Sequence, residues 1–437
     1  MRTLALLLMA AGAARAGDLP APVTDAMYVP VTRAEAELGQ LLFWDPILSG
    51  NRNISCGTCH HPRFGTGDGL ALGVGEGGIG LGPDRRPDPD NPPEERIPRN
   101  APALFNLGAH EFRVLFHDGR VERDDTRPSG LRTPMEDEMT MGFSGVLSAQ
   151  TMFPVLSQDE MAGHYSENDV ARAVRLGIIT GEGGAWDILS RRVAELPEYA
   201  RRFAEVYPEV AEGRPIGFTD ISNAIAAFMT FEWRSDTALF DAVLRGQQVL
   251  EGDAARGADL FYGAAQCATC HSGPFQTDHG FHAMGVPQFG PGKAARFEQH
   301  QRDEGRMEVT GRPEDAFAFR TPSLRNVAFT APYGHTGAFA ELSEFLKFHA
   351  DPLENRAGFV ADVQLPPGIG KGHDMAPLED AALTDEISAA ITTPPVALDA
   401  DEIAALEAFL RTLSDPVAVF GRLGIPETVP SGLPVDH

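Results

Sequence analysis

Two stretches of the chain repeat one spacing of cysteine and histidine. They read Cys56-Gly57-Thr58-Cys59-His60 and Cys267-Ala268-Thr269-Cys270-His271, and they contain all four cysteines of the 437 residues. Two residues between the thiols let both sulfurs form thioethers with the vinyl groups of one haem, and the next imidazole can bind its iron. A zinc site rarely places His directly after the second Cys in both copies, and a redox-active thiol pair needs no His. The sequence therefore predicts two covalent c-type haems, with His60 and His271 as iron ligands.

The similarity between the two halves extends beyond these motifs. Phe64, Thr66 and Gly69 recur at the same offsets as Phe275, Thr277 and Gly280, and Leu38–Phe43 resembles Gly257–Phe261 upstream. Such self-similarity is the signature of an internal duplication. We expect an N-terminal cytochrome c-like domain at 17–240 and a C-terminal one at 241–437, with the boundary near 234–251.

The apolar pattern between the motifs is helical. Apolar residues recur at helix spacing in 221–229 and in 401–413, and 197–204 is typical of a helix with Pro in its first turn. The stretches 65–100 and 281–319 are rich in Gly, Pro and charge, which predicts long loops. The expected fold class is mainly α, with two tandem cytochrome c-like haem domains and long irregular loops.

The first residues of the chain indicate where the protein is located, and its net charge argues against one class of partner. Arg2, a short apolar run and Ala14-Arg15-Ala16 predict a signal peptide at 1–16, since the run is too short to span a bilayer. We expect a periplasmic protein without a membrane span. The formal net charge of −26 argues against nucleic-acid binding, which requires a basic surface.

Several longer stretches resemble the bacterial di-haem cytochrome c peroxidase superfamily, in particular its MauG/MbnH-like branch. They are Leu41-Leu42-Phe43-Trp44-Asp45-Pro46, Arg99-Asn100-Ala101-Pro102, Phe261–Phe275, Phe319–Val327 and Thr330-Ala331-Pro332-Tyr333-Gly334-His335. The resemblance implies that the N-terminal haem reacts with hydrogen peroxide and that a six-coordinate C-terminal haem relays or stores electrons. It also implies a calcium ion between the haems, with Asn100, Thr330 and Pro332 as ligands, and oxygen donors of this kind suit Ca²⁺.

Two departures from the family pattern concern the second axial positions of the irons. The family's Met ligand to the C-terminal iron stands about fourteen residues after the P-Y-x-H motif, where this chain has His349, with His335 as the next candidate. A His/His haem lacks the thioether that raises the potential, so it should be easier to oxidise. The loop 66–78 contains no His, which predicts an open N-terminal iron. His61 follows the proximal His60, and we expect it to be a surface residue.

A carboxylate is suited to moving a proton between the two oxygens of peroxide. The family's Glu lies in an N-P-V-E-M-G motif, and the nearest match, Phe153–Gly163, predicts Glu160 as the catalytic acid–base. Glu138 in Glu138-Met139 is the rival. The family's inter-haem Trp, in F-W-D-G-R, is replaced by His117, which removes an easily oxidised relay.

Three functions are compatible with these features. The first is a peroxide-dependent oxidoreductase that oxidises side chains, for example Trp, of a periplasmic partner protein. The second is a cytochrome c peroxidase that takes electrons from a small cytochrome c or cupredoxin. The third, a non-catalytic electron carrier, has no use for an open iron beside a carboxylate.

Overall fold

The computed structural model describes residues 19–136, 138, 141–293, 300–363, 365–370 and 373–437. The predicted signal peptide at 1–16 and Met139 of the rival Glu138-Met139 pair lie outside these residues.

The described residues are rich in helix, as predicted. The α-helices are α1 Arg33–Trp44, α2 Cys56–Cys59, α3 Val146–Gln150, α4 Asp169–Arg175, α5 Ala185–Ala194, α6 Pro197–Val206, α7 Pro208–Ala211, α8 Phe218–Glu232, α9 Leu239–Leu244, α10 Gly252–Phe261, α11 Met307–Thr310, α12 Leu342–Ala350, α13 Pro352–Arg356, α14 Ala376–Glu379, α15 Ala381–Ala390, α16 Ala400–Arg411 and α17 Pro416–Phe420. The predicted helices at 197–204, 221–229 and 401–413 correspond to α6, α8 and α16.

The remaining regular elements are short. The strands are β1 Gly78–Ile79, β2 Arg86–Pro87, β3 Val114–Leu115, β4 Val121–Arg123, β5 Leu131–Arg132, β6 Phe281–His282 and β7 Phe319–Arg320. They pair antiparallel as β1-β2, β3-β4-β5 and β6-β7. Short 3-10 turns lie at Asp25–Met27, Pro46–Leu48, Pro62–Phe64, Gly82–Asp84, Pro154–Leu156, Cys267–Thr269, Pro313–Asp315 and Val327–Phe329, and a π-helical turn lies at Gln158–Ala162. The stretches 65–100 and 281–319 are mostly irregular, as expected.

Two helix crossings repeat the same contact. An ideal Cβ on Gly39 of α1 would lie 1.8 Å from the carbonyl oxygen of Ala224 in α8. An ideal Cβ on Gly257 of α10 would lie 1.9 Å from the carbonyl oxygen of Ala405 in α16. Only glycine permits backbones to approach this closely. The repeat seen in the sequence therefore has a structural counterpart, and each crossing leads into one Cys-x-x-Cys-His motif.

Two large clusters of buried apolar side chains accompany these crossings. The first includes Trp44, Trp186 and Trp233, and the second is centred on aromatic residues such as Phe261 and Phe409. Each cluster includes residues from the other half of the chain. Ala71 and Leu72 pack in the second cluster, whereas Ala418 and Val429 pack in the first. The two halves of the chain are therefore interleaved. Among the described residues, no helix has the length and apolar character needed to cross a bilayer.

Candidate functional site

The first Cys-x-x-Cys-His motif forms the short helix α2. Its start is held by Ser55, whose backbone N–H donates to Thr58 Oγ1 at 3.0 Å. The thiols of Cys56 and Cys59 are free and partly buried, and burial first of all raises the pKa of each to about 12. Both sulfurs are unpaired and are therefore available for thioether formation.

The imidazole of His60 is oriented through its Nδ1 atom, which lies 2.9 Å from the carbonyl oxygen of Thr66. Burial lowers the pKa of His60, while the carbonyls of Thr66 and Pro102 favour its protonated form. An Nδ1–H bonded to a carbonyl leaves the Nε2 lone pair free, which is the arrangement found in metal-binding histidines. The Nε2 atom of His60 is therefore suited to bind a haem iron.

Glu160 lies on the π-helical turn that packs against the loop following the first motif. The backbone N–H of Glu76 donates to the carbonyls of Asp159 and Glu160 at 3.0 and 3.1 Å. After burial and the charge of Asp68, the charge of Glu160 is among the groups that raise the pKa of Cys59. The half-buried side chain of Glu160 therefore lies near the first motif.

The rival Glu138 has a different environment. Its side chain is exposed, and its Oε2 atom accepts a hydrogen bond from Thr180 Oγ1 at 3.3 Å. The structure thus brings Glu160, and not Glu138, into contact with the loop that follows Cys59.

Two further carboxyl groups of this loop were not predicted from the sequence, where its lack of a His was the informative feature. Asp68 is buried, its Oδ1 atom accepts from the N–H of Leu70 at 3.0 Å, and burial raises its pKa to about 7. Glu76 is only 1% exposed, and its Oε1 atom accepts from the amides of Asn51 and Asn53 at 2.8 Å each. Both were visible in the sequence as the acidic residues of a Gly-rich loop.

The expectation that His61 lies at the surface is wrong. Its side chain is only 2% exposed and meets the Trp44 ring edge-on, with ring centroids 5.5 Å apart. Its Nδ1 atom accepts from the backbone N–H of Arg63 at 3.1 Å, and burial lowers its pKa to about 4. Trp44, from the end of α1, covers the ring.

The second motif presents its histidine in a similar way. His271 Nδ1 lies 3.1 Å from the carbonyl oxygen of Gln276, and burial lowers the pKa of His271. Burial, followed by the charge of His271, lowers the pKa of His349 on α12 to about 4. The structure therefore brings His349 within electrostatic range of His271. The His349 ring also contacts Phe345 edge-on, at 4.6 Å between centroids.

His335, the other candidate ligand, belongs to a different group. It stacks on Phe319 with centroids 3.9 Å apart, and both of its ring nitrogens are buried without a hydrogen-bond partner among the described residues. Burial lowers its pKa to about 3, against the charge of Asp303, while Arg99 and His117 lower it further. His335 thus lies among residues that join the two halves.

His117, at the family's Trp position, belongs to the same group. Its Nε2 atom lies 3.2 Å from the carbonyl oxygen of Asn100. Burial and then the positive charge of Arg99 lower its pKa to about 4, so it is neutral near pH 7.

The predicted calcium ligands are partly brought together. Asn100 Nδ2 donates to the carbonyl oxygen of Pro332 at 2.7 Å, and the Asn100 backbone N–H donates to the His335 carbonyl at 2.8 Å. Amide oxygen and nitrogen are assigned from hydrogen bonding, so a rotated Asn100 would present its oxygen beside that of Pro332. Thr330 lies two residues before Pro332, and its side chain donates to the Val327 carbonyl at 3.1 Å. The donor set fits a hard cation.

The described residues contain one further group of potential metal donors. The ligand atoms of Cys270, Asp278 and His282 lie within 4.8 Å of one another. A thioether to haem would consume the Cys270 sulfur, so this set does not fit a metal beside a covalent haem.

Comparison with known proteins identifies relatives of this chain. The model of the di-haem cytochrome c peroxidase family matches residues 33–249. The methylamine utilization protein MauG of Methylorubrum extorquens is 28% identical over 329 residues, covering 75% of this chain and 71% of that protein. The cytochrome-c peroxidase IdrP2 of a Pseudomonas species is 28% identical over 439 residues, covering 95% of this chain and 91% of that protein.

Solved structures with a similar fold extend over most of the chain, and we describe one of them. It is a MauG-like protein associated with microbial copper homeostasis, with a TM-score of 0.59 and 25% identity. The alignment covers 94% of this chain and 97% of that one.

Proposed function

Since the chain belongs to the di-haem cytochrome c peroxidase family, we propose that it reduces hydrogen peroxide and oxidises side chains, such as Trp, of a partner protein. The observation that carries this proposal is the position of Glu160 against the loop that follows Cys59 and His60. That loop supplies no His to occupy the iron. A carboxylate beside an open iron is suited to peroxide cleavage and is of no use to a simple electron carrier.

We assign one haem to Cys56, Cys59 and His60 and the other to Cys267, Cys270 and His271, with His349 as the second axial ligand of the latter. When bound, these groups supply the redox chemistry. The Nδ1–carbonyl contacts of both proximal histidines support the assignment, because they hold each Nε2 free for a metal. The electrostatic interaction of His349 with His271 supports His349 as the second axial ligand of the second haem.

In the proposed reaction, Glu160 moves one proton. Its carboxylate accepts the proton from one oxygen of hydrogen peroxide and returns it to the other, so that the O–O bond breaks and the protonated oxygen leaves as water. The remaining oxygen takes up two electrons and two protons, which the oxidised side chain supplies, and leaves as the second water. The contact of the Glu160 turn with Glu76 positions the carboxylate, since the Glu76 N–H bridges two successive carbonyls of the turn. General acid–base catalysis of this kind accelerates reactions by about two to four powers of ten.

The proposal also includes two domains, a calcium ion and a periplasmic location. The two glycine-dependent helix crossings support two cytochrome c-like domains, at 17–240 and 241–437. The oxygen donors of Asn100, Thr330 and Pro332 support a calcium ion where the halves meet. The signal peptide predicted at 1–16 supports export to the periplasm, where the partner protein would be encountered.

The alternative is a cytochrome c peroxidase that takes electrons from a small cytochrome c or cupredoxin. A specific observation favours it: the relative named cytochrome-c peroxidase matches over 95% of the chain, with the same 28% identity as MauG.

A steady-state assay separates the two functions. Purified holoprotein is mixed with hydrogen peroxide and a reduced small c-type cytochrome, and oxidation of the cytochrome is followed optically. We expect the cytochrome to be oxidised slowly. In a second mixture, a Trp-containing partner protein encoded next to this gene replaces the cytochrome, and we expect that partner to be oxidised. Rapid, sustained oxidation of the cytochrome would favour the alternative, and a lack of any reaction with peroxide would refute both.

A further inference from the structure

A row of aromatic rings begins at the first haem-attachment helix. An ideal Cβ on Gly57 of α2 would lie 2.3 Å from two ring carbons of Trp44, so the indole rests directly on this helix. The Phe43 ring lies 5.7 Å from Trp44 and 5.1 Å from Trp233, measured between centroids. The three rings are 1% exposed. They form a continuous aromatic path from α2 to the end of α8.

The path continues from Trp233 towards the second motif. The Asn106 backbone N–H donates to the Trp233 carbonyl at 3.0 Å, and the Asn106 side-chain oxygen accepts from the Tyr28 hydroxyl at 2.7 Å. The Tyr28 ring lies 5.9 Å from that of Phe275. The next residue, Gln276, supplies the carbonyl that faces His271 Nδ1. Buried contacts therefore connect the two haem-attachment segments.

This row is separate from the inter-haem position of the family, where His117 replaces Trp. His117 contacts the carbonyl of Asn100 and not a member of the row. Trp186 is also separate, because its ring stacks on Phe218 at 6.0 Å and its Nε1 donates to the Met152 carbonyl at 3.0 Å. The chain thus offers two tryptophans on the path and one buried tryptophan off it.

We infer that Trp44 and Trp233 are redox-active and form, with Tyr28, an electron route between the two haem-attachment segments. The inference rests on the proposed reaction with hydrogen peroxide, which is the oxidant and takes up two electrons and two protons to give two waters. Trp233 passes one electron towards the first attachment segment and regains one from the second. The net result is electron transfer from the second half of the chain to the first, with both indoles restored.

The polar contacts of Trp44 and Tyr28 indicate that the indoles, and not the phenol, remain oxidised when an electron is removed. Trp44 Nε1 is buried and has no hydrogen-bond partner among the described residues, so an oxidised Trp44 keeps its proton. The Tyr28 hydroxyl donates to the side-chain oxygen of Asn106, an amide oxygen that is a poor base. Oxidised Tyr28 therefore has no good acceptor for its phenolic proton, so Tyr28 passes electrons and does not remain oxidised.

Two measurements test this route, and the first uses the unaltered holoprotein. The protein is treated with hydrogen peroxide without an electron donor, digested, and analysed by mass spectrometry for oxidised tryptophan. We expect peroxide-dependent oxidation at Trp44 and Trp233 and none above background at Trp186. Equal oxidation of all three tryptophans, or oxidation of Trp186 alone, would overturn the inference.

The second measurement follows electron transfer within the protein. The second haem is reduced beforehand, peroxide is added, and its reoxidation is recorded optically in the unaltered protein and in Trp233→Phe, His117→Phe and Trp186→Phe variants. We expect Trp233→Phe to slow the reoxidation, and the other two variants to match the unaltered protein. If Trp233→Phe has no effect, or if His117→Phe is the slow variant, the route is wrong although the peroxide reaction stands. If the unaltered protein does not react with peroxide, the proposed function fails and this inference fails with it.

Discussion

Arg99 holds Asp303 through two hydrogen bonds of 2.7 Å, although 204 residues separate them in the chain. The same guanidinium donates to Asp118 at 2.6 Å, and all three side chains are buried. Buried carboxylates lose their hydration, so their charges depend on the partner that replaces water. This ion-pair cluster therefore joins the segment that carries Asn100 to the segment that leads to Phe319.

Replacing Asp303 with Asn should destabilise the protein strongly. The change leaves the buried Arg99 without its bidentate partner, and breaking a buried pair typically costs about 3 kcal/mol or more. Urea unfolding of the holoprotein measures the effect. The matched control is Asp125→Asn, because Asp125 pairs with Arg113 and Arg123 at the surface and should be replaceable without measurable loss. If both variants are equally stable, the cluster contributes nothing.

The same cluster should make stability fall in acid. Although burial alone would raise it, the Arg99 guanidinium lowers the pKa of Asp303 to about 2 in the folded protein. The unfolded value is about 3.9, so the stabilisation is complete above that pH and is lost as the pH falls towards 2. Unfolding free energies measured between pH 5 and 3 should decline less steeply in Asp303→Asn than in the unaltered protein. Parallel curves would contradict this.

Features with a local cause could be predicted from the sequence. The spacing of the Cys-x-x-Cys-His motifs constrains haem attachment by itself, and α6, α8 and α16 follow from apolar periodicity with a Pro in the first turn of α6. The duplication was visible because Phe64, Thr66 and Gly69 recur at the same offsets as Phe275, Thr277 and Gly280. Each of these features can be recognised from a short stretch of the sequence.

Features that depend on distant segments could not be predicted. His61 was expected at the surface because it directly follows the proximal His60, and its burial arises from Trp44 of another element. Likewise, Thr58 Oγ1 in the first motif donates to Asp436 at 2.5 Å, a contact across 378 residues. No periodicity or spacing encodes such pairs. They follow only from the complete packing of the chain.

Removing one cysteine of a motif should remove one haem. In Cys59→Ala only the Cys56 thiol remains at the first motif, and because a single thioether rarely gives stable maturation, we expect the protein to lack this haem. A haem-stained denaturing gel with protein-normalised intensity should show about half the signal of the unaltered protein. Cys270→Ala should give the same loss from the other motif. Full staining of either variant would contradict covalent attachment at these sites.

His349→Ala should convert the C-terminal haem from low spin to high spin, because it removes the proposed second axial ligand. Electron paramagnetic resonance of the oxidised protein measures the change. The N-terminal haem signal should be unaffected. The matched control is His335→Ala, which should keep the low-spin signal, since His335 stacks on Phe319 in the ion-pair region. If His335→Ala loses the low-spin signal and His349→Ala keeps it, the ligand assignment is reversed.

Glu160→Gln should leave both haems bound and slow the reaction with hydrogen peroxide by about two to four powers of ten. The amide keeps the size of the side chain and its place on the π-helical turn beside Glu76, but it cannot accept and return a proton. Stopped-flow absorbance after mixing with peroxide measures the rate. Glu138→Gln is the control and should react normally, because Glu138 is exposed and bonded to Thr180. If Glu138→Gln is the slow variant, Glu138 and not Glu160 is the acid–base residue. If both variants react normally, proton transfer must run through another group of this site, and the buried carboxyl groups of Asp68 and Glu76 are then the next to replace.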